Sequence, residues 1–431
     1  MKFFGSSGIR GLVNEKITPE LALKVGRAVG REYKNVIIGR DPRPTGKMVS
    51  SAVIAGLTAE GAEVKDAGMV ATPTLAYASK DFDCGVMITA SHNPAPYNGI
   101  KLWNPDGSSF NTPQMERTEE QIMKETTLPS WKEVGMVSPY RNATKKHILT
   151  IVDIFGTEHD SKVVIDCANG AGCHTTPFLL REMGCDVVTM NSQPDGTFPA
   201  HDPEPTKENL EDLGKLVKKT GADIGLAHDG DADRLVAYDS QGNYLGGDQL
   251  LALFASQFTD KVVVPINSSM IIEELVDEVV RTKVGDVFVA EQLKEHDAQF
   301  GGEASGTWIF PQMSYAPDAI YAAAYLVELS EKIDLKEKIR ELPSYPQERK
   351  SFEIKNKERV MDELTTIHKN RYSSSDLNFV DGIRVEYENG WSLTRKSGTE
   401  PKIRITVEAQ TQEDLDDIFK KSQSLLEEVI G

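Results

Sequence analysis

The sequence predicts an α/β protein, with three related mixed α/β sandwich domains followed by a smaller α+β domain. Three β-branched runs, Asn35–Gly39, Lys162–Asp166 and Lys261–Pro265, each lead through a polar loop into helical periodicity. That alternation marks βαβ units around a largely parallel sheet covered on both faces. The starts lie about a domain apart, too far for a solenoid repeat. The C-terminal stretch breaks the pattern: Ile383, Val385 and Tyr387 alternate with polar residues, the period of a strand with one solvated face.

The elements follow in order. Thr18-Pro19-Glu20 supplies an N-cap, a proline at the first helical position and an acid in the first turn. Leu21, Val25, Ala28 and Val29 then share one helical face. The three repeats predict helices in SSAVIAGLTAEGAEV, TTPFLLREMGCDVV and MIIEELVDEVV, each returning to a further strand. Leu342–Lys350, charged and proline-containing, reads as a linker. Beyond it, Asn389-Gly390 turns the chain between alternating runs, and Trp391 and Leu393 resume the period. Ile403, Ile405 and Val407 make a third run before an acidic helix from about Gln412 to Val429. The predicted domains are 1–150, 151–247, 248–343 and 350–431.

Charge narrows the function. With 48 Lys and Arg against 66 Asp and Glu, the 431-residue chain carries a net charge of −18. A field of that sign repels nucleic acid and anionic membrane, so neither is an expected partner. An anionic substrate must then be drawn by a local basic cluster. No stretch approaches the roughly 20 apolar residues that span a bilayer, and MKFFGSSGIRG has no signal-peptide core. Cys167, Cys173 and Cys185 lack paired CxxC spacing, which favours free thiols over zinc and a cytoplasmic location. The sequence leaves monomer and homo-oligomer equally open.

Four loops carry chemistry. Thr89-Ala90-Ser91-His92-Asn93-Pro94 follows the apolar Gly85–Ile88. Ser91 there is a nucleophile, a cap or a turn residue. Thr89 and Asn93 stand where a hydrolase elbow needs glycine. His92 is not expected to act as base to Ser91, because neighbouring side chains diverge in an extended segment. Asp229-Gly230-Asp231-Ala232-Asp233-Arg234 follows the apolar Ile224–Ala227. Three carboxylates at alternate positions converge only around a hard divalent cation, and open oxygen coordination suits Mg2+. Arg234 and Ser240 stand where an EF-hand needs Gly and Glu, so a calcium loop is excluded. In Gly301-Gly302-Glu303-Ala304-Ser305-Gly306-Thr307 the oxygens suit sugar hydroxyls, though an ordinary turn fits equally. Arg395-Lys396-Ser397-Gly398-Thr399-Glu400-Pro401 aims donors and a forked guanidinium at one anion, which favours a phosphate site over a solvated hairpin.

Together, and in this order, the four loops resemble those of the α-D-phosphohexomutase family. Gly5-Ser6-Ser7-Gly8-Ile9-Arg10-Gly11, Gly39-Arg40-Asp41, Asn98-Gly99-Ile100-Lys101, Pro194-Asp195-Gly196 and Arg281-Thr282-Lys283-Val284-Gly285-Asp286 match its motifs as well. The resemblance runs over essentially the whole chain. It implies a heart-shaped, four-domain enzyme with a central cleft that moves phosphate between O1 and O6 of a hexose phosphate. Ser91 would carry the phosphoryl group and, with Asp229, Asp231 and Asp233, hold Mg2+. Arg10 and Arg234 would neutralise the transferring group, His92 would support the loop, and Lys101 would transfer protons once charge or desolvation lowers its pKa. Lys283, Glu303, Ser305 and Thr307 would read the sugar; Arg395, Ser397, Gly398 and Thr399 would grip the idle phosphate. A hexose 1,6-bisphosphate would be both intermediate and priming activator.

Many relatives have histidine where this chain has Thr307, and threonine cannot shuttle a proton near neutral pH. The Ser-Gly-Thr-Glu-Pro form of the last loop is similar to phosphoglucosamine mutases and favours glucosamine phosphates over mannose or glucose phosphates. A non-catalytic phosphosugar-binding protein and a metal-dependent phosphatase are the other classes considered.

Overall fold

The computed structural model describes residues 3–5, 8–258, 260–397 and 401–430. Ser6, Ser7, Gly398, Thr399 and Glu400 of the motifs lie outside the described residues. The chain divides into two compact units, Met1–Leu251 with Gly285–Ile339, and Ala252–Val284 with Arg340–Gly431. Residues of the predicted third domain fall in both.

The first unit opens on a six-stranded sheet. Strands β1 (Ile9–Leu12), β2 (Asn35–Arg40), β3 (Glu63–Met69), β4 (Cys84–Ile88), β5 (Tyr97–Trp103) and β6 (Val137–Pro139) take the order β1-β5-β4-β2-β3-β6. Strands β2, β3, β4 and β6 are parallel, β5 pairs antiparallel with β4, and β1 pairs antiparallel with β5, so the sheet is mixed. Its central strands β2, β4 and β5 are buried on both faces, whereas edge strand β6 is largely exposed. Val36, Ile38, Val86 and Ile88 join one core with Val25 and Val53, while Ile37 and Met87 join another with Leu75 and Trp103. Helix α1 (Pro19–Glu32) starts as predicted, Thr18 Oγ1 accepting from Leu21 N at 3.2 Å. It meets α2 (Gly46–Ala59) backbone to backbone: a Cβ on Gly26 would lie 2.2 Å from Val53 O.

A second sheet repeats the plan with β7 (Lys162–Asp166), β8 (Asp186–Met190), β9 (Ile224–His228), β10 (Leu235–Tyr238) and β11 (Tyr244–Leu245), in the order β11-β10-β9-β7-β8. Strand β7 runs parallel to β8 and β9, and β10 returns antiparallel. The strands Phe300–Glu303 and Thr307–Ile309 form an antiparallel hairpin in the same unit.

In the second unit, Lys261–Pro265 pairs parallel with Glu278–Thr282. The helix predicted in MIIEELVDEVV is absent; Met270–Glu274 is a single 3-10 turn and Glu278–Thr282 is a strand. Helical periodicity misled because the connection is short and Val279 and Val280, β-branched, gain a ladder by pairing. The C-terminal antiparallel sheet forms as predicted, with Ile383–Tyr387, Gly390–Lys396 and Lys402–Ala409. Gln347–Glu353 adds an edge strand beside Lys402–Ala409, so Gln347–Lys350 of the predicted linker is regular structure. Helices Lys357–Arg371 and Gln412–Ile430 cover one face, packing Leu364 and Leu426 on Val385, Ile403 and Ile405.

The other sheet face, predicted to be solvated, is covered in part. Trp391 and Leu393 pack with Ile266, and Trp391 is fully buried. Arg384 lies 4.1 Å from the Trp391 ring and donates to Ile266 O at 2.6 Å, while Glu408 accepts from Trp391 Nε1 at 2.8 Å and Met270 N at 2.7 Å. Each buried charge has a partner, and that is what lets the polar face close.

Candidate active site

Two strand ends of the first unit meet. The Ser91 loop leaves β4, and the Asp229–Arg234 loop leaves β9, both at carboxyl ends where α/β sheets bind ligands. Gly230 makes the approach possible, since a Cβ there would lie 2.7 Å from Ser91 O. Asp229 folds its own loop by accepting at Oδ1 from Asp233 N at 3.1 Å and Arg234 N at 3.2 Å. With Ala232 in the left-handed region at φ 58°, the three acids turn to one side.

Ser91 Oγ donates to Asp229 Oδ2 at 2.6 Å and lies 3.3 Å from Asp233 Oδ1. Its φ of 51° is left-handed, so the segment is not extended and the expected divergence from His92 does not hold: Ser91 Oγ and His92 Nδ1 are 3.3 Å apart. Burial, with Arg234 and Arg10 adding to it, brings the His92 imidazole down to about 3. The ring is neutral near pH 7.

Carboxylate oxygens of Asp229, Asp231 and Asp233 lie within 4.8 Å of one another, and all three residues are buried. Burial, then Asp233 and Asp231, raises the Asp229 carboxyl well above its ordinary range. Burial pushes the same way on Asp233, but Lys101 and Arg234 outweigh it and hold that carboxyl low. Asp231 Oδ1 is buried with no hydrogen-bond partner. An orphaned carboxylate oxygen within a cluster of three acids fits a hard divalent cation that takes oxygen ligands. The triad could hold a metal ion.

Lys101 Nζ, from β5, sits 2.7 Å from Asp233 Oδ2 and 3.9 Å from Asp231 Oδ2. Burial pulls its pKa down, yet Asp233 and Asp231 together win and hold it above the ordinary lysine value. The sequence required a lowered value; desolvation is present, but the neighbouring charge has the opposite sign. Arg10 Nη1 donates to Asn93 Oδ1 at 2.9 Å, and Arg234 Nη1 lies 3.7 Å from Glu204 Oε1.

Four phosphoglucomutase/phosphomannomutase family models match the chain in sequence: alpha/beta/alpha domain I over residues 1–129, domain II over 140–242, domain III over 246–345 and the C-terminal domain over 346–422. The chain belongs to the phosphoglucomutase/phosphomannomutase family. A "Probable phosphoglucosamine mutase" of Methanococcoides burtonii is 50% identical over 438 residues, covering 100% of both chains. One from Pyrococcus furiosus is 42% identical over 447 residues, covering 100% of this chain and 98% of its own. A phosphoglucomutase/phosphomannomutase family protein from Burkholderia thailandensis superposes with a TM-score of 0.87 at 28% identity, covering 98% of this chain and 97% of its own. The fold also matches an Aspergillus fumigatus N-acetylphosphoglucosamine mutase solved with GlcNAc-6P and magnesium, at a TM-score of 0.59 and 16% identity, over 99% of this chain and 96% of its own.

Within this family member the remaining predicted residues divide by unit. Glu303, Ser305 and Thr307 lie in the first. Glu303 Oε1 accepts from Gly285 N at 2.7 Å, and Ser305 Oγ is 3.1 Å from Thr307 Oγ1. Burial, then Asp286, raises the Glu303 carboxyl. Lys283, Arg395 and Ser397 lie in the second unit, where Arg395 Nη1 is 3.1 Å from Asp381 Oδ2 and Lys357 Nζ donates to Ser397 O at 2.5 Å.

Sequence reasoning missed the residues behind the triad. Thr72 Oγ1 donates to Asp231 Oδ2 at 2.6 Å, and Thr89 Oγ1 lies 3.0 Å from that oxygen and 2.7 Å from Asp41 Oδ2. Asp41 pairs with Arg43 at 2.9 Å. The Gly39-Arg40-Asp41 motif pointed to this place; the threonines carry no signal legible without the fold.

Proposed function

We propose that this family member is a phosphohexomutase converting glucosamine 6-phosphate to glucosamine 1-phosphate. The observation that carries the reading is Ser91 Oγ 2.6 Å from Asp229 in a buried acidic triad, in a chain 50% identical to a protein named probable phosphoglucosamine mutase. Phospho-Ser91 gives its phosphoryl group to the free sugar hydroxyl, forming a hexose 1,6-bisphosphate and freeing Ser91 Oγ. The bisphosphate reorients, and its other phosphate returns to Ser91. A Mg2+ ion held by Asp229, Asp231, Asp233 and an oxygen of phospho-Ser91 would supply positive charge to the transferring group.

The protein's own groups do the rest. Arg10 and Arg234 face the Ser91 loop as its nearby cations, and His92 supports the loop. Lys101 moves the proton. As an ammonium it donates to the departing sugar oxygen in the second half. The first half needs the neutral amine, which burial favours whenever Asp233's charge is drawn elsewhere. Thr307 is excluded from proton transfer by its chemistry. Glu303, Ser305, Thr307 and Lys283 bind the sugar, and Arg395, Ser397, Gly398 and Thr399 bind the idle phosphate. Trace hexose 1,6-bisphosphate primes Ser91. The domain division 1–150, 151–247, 248–343 and 350–431 belongs to the same reading, as does a cytoplasmic location, which accords with four cysteines that are buried free thiols.

The test is a coupled assay of glucosamine, mannose and glucose phosphates side by side, with Mg2+ and a trace of hexose bisphosphate. Glucosamine phosphate should give the highest kcat/KM, and Ser91→Ala should abolish turnover of all three. Turnover by Ser91→Ala would remove the phosphoserine scheme; preference for mannose or glucose phosphate would reassign the substrate.

A further inference from the structure

Ser91 occupies an uncomfortable backbone. A serine at φ 51° persists only where the surroundings over-determine it. One buried residue ties the loop down at several carbonyls. Arg43 is 1% exposed, and all five N–H donors of its guanidinium are used. Nη2 donates to Ser91 O at 2.7 Å and Asn93 O at 2.5 Å, and Nη1 to Pro94 O at 2.7 Å and Tyr97 O at 3.0 Å. Nε donates to Asp41 Oδ2 at 2.9 Å. The four carbonyls belong to the nucleophile's loop and the strand that follows it. Thr89 closes the other side, its Oγ1 accepting from Ser91 N at 2.9 Å. The ring of Phe198 lies 5.0 Å from the guanidinium centre, bringing in the loop after β8.

We propose that Arg43 is a positioning residue for phosphoryl transfer, its forked guanidinium holding the Ser91 loop in the left-handed turn that aims Oγ at Asp229. The proposal rests on the reading of Ser91 as phosphoryl carrier. Arg43 bonds only to backbone carbonyls and Asp41, so its contribution falls on the geometry of the reacting oxygen rather than on the affinity for sugar. Lysine, with three donors and no planar fork, cannot span four carbonyls and a carboxylate.

The experiment compares Arg43→Lys, Arg43→Ala and Phe198→Leu in the full chain, with Mg2+ and hexose bisphosphate. Arg43→Lys should lose about a hundredfold in kcat and in the single-turnover rate from phospho-Ser91, with KM close to the parent's. Added guanidinium ion should restore part of the rate to Arg43→Ala, while ammonium at the same concentration should not. Phe198→Leu keeps every donor and should show a smaller fall in kcat, also at constant KM; it decides the matter if the Arg43 variants do not fold. Parental kcat in folded Arg43→Lys overturns the proposal, as does a rise in KM that accounts for the whole loss. Ser91→Ala is the control: if it still turns over, the phosphoserine reading fails; if it is inactive while Arg43→Lys is unimpaired, only this inference fails.

Discussion

Asp229 shows at the scale of one residue what the site costs. Its raised carboxyl means that the folded protein binds a proton there more tightly than the unfolded chain does. From the unfolded value of about 4 upward to the raised folded value, the native state holds more protons. Stability from this group therefore falls as pH rises through that window, and the charged form at neutral pH is destabilising without a cation. Asp229→Asn should raise the urea midpoint of the metal-free protein at pH 7, and Mg2+ should raise the Tm of the parent but not of the variant. A metal-free variant less stable than the parent would contradict this. His92 gives a second test. With its imidazole brought down to about 3, it stays neutral across the working range, so the pH profile of kcat/KM should show no break belonging to His92. Parent and His92→Gln should share their profile between about pH 6 and 8, and a break near 6.5 that vanishes in the variant would refute the assignment.

At the scale of elements, the site is two loops brought together by two sheets. Gly230 is a point of close approach between them, because a Cβ there would meet the Ser91 backbone carbonyl, which cannot swing aside. Gly230→Ala should depress kcat strongly, with a stability loss on the order of 1–3 kcal/mol typical of overpacking; parental kcat would show that the loops have slack. Away from the site, Thr18→Ala should cost about 1 kcal/mol by removing the α1 cap and leave kcat unaltered, as read by urea unfolding beside the assay. The cap was legible because it depends on residues three apart. The strand Glu278–Thr282 was not, since a short apolar run satisfies helix and strand periods alike and pairing with Lys261–Pro265 decides between them.

For the whole molecule, a net charge of −18 opposes the approach of a phosphosugar, so attraction must be local. Arg395 carries that role in the proposed scheme. Losing a charge-assisted hydrogen bond costs about 1.5–3 kcal/mol, and Arg395→Ala should therefore raise KM for phosphosugar by roughly ten- to a hundredfold, with a smaller effect on kcat. An unchanged KM would dismiss Arg395 from the phosphate site. No helix among the described residues is long and apolar enough to cross a membrane, in keeping with the short apolar runs of the sequence.

The sequence by itself determined the α/β class, the hairpin-rich C-terminal sheet and the loops that hold Ser91, Asp229, Asp231 and Asp233. These follow from periodicity and from residue types set close together along the chain. Only the tertiary structure decided that Thr72, Thr89 and Arg43 stand behind those residues, that Ser91 turns His92 toward itself, and that Lys101 is held charged by Asp233. The reason is distance: Thr72 and Asp231 are 159 residues apart in the chain and 2.6 Å apart in space. A pKa or a strained φ belongs to such a neighbourhood, which no local pattern of residues describes.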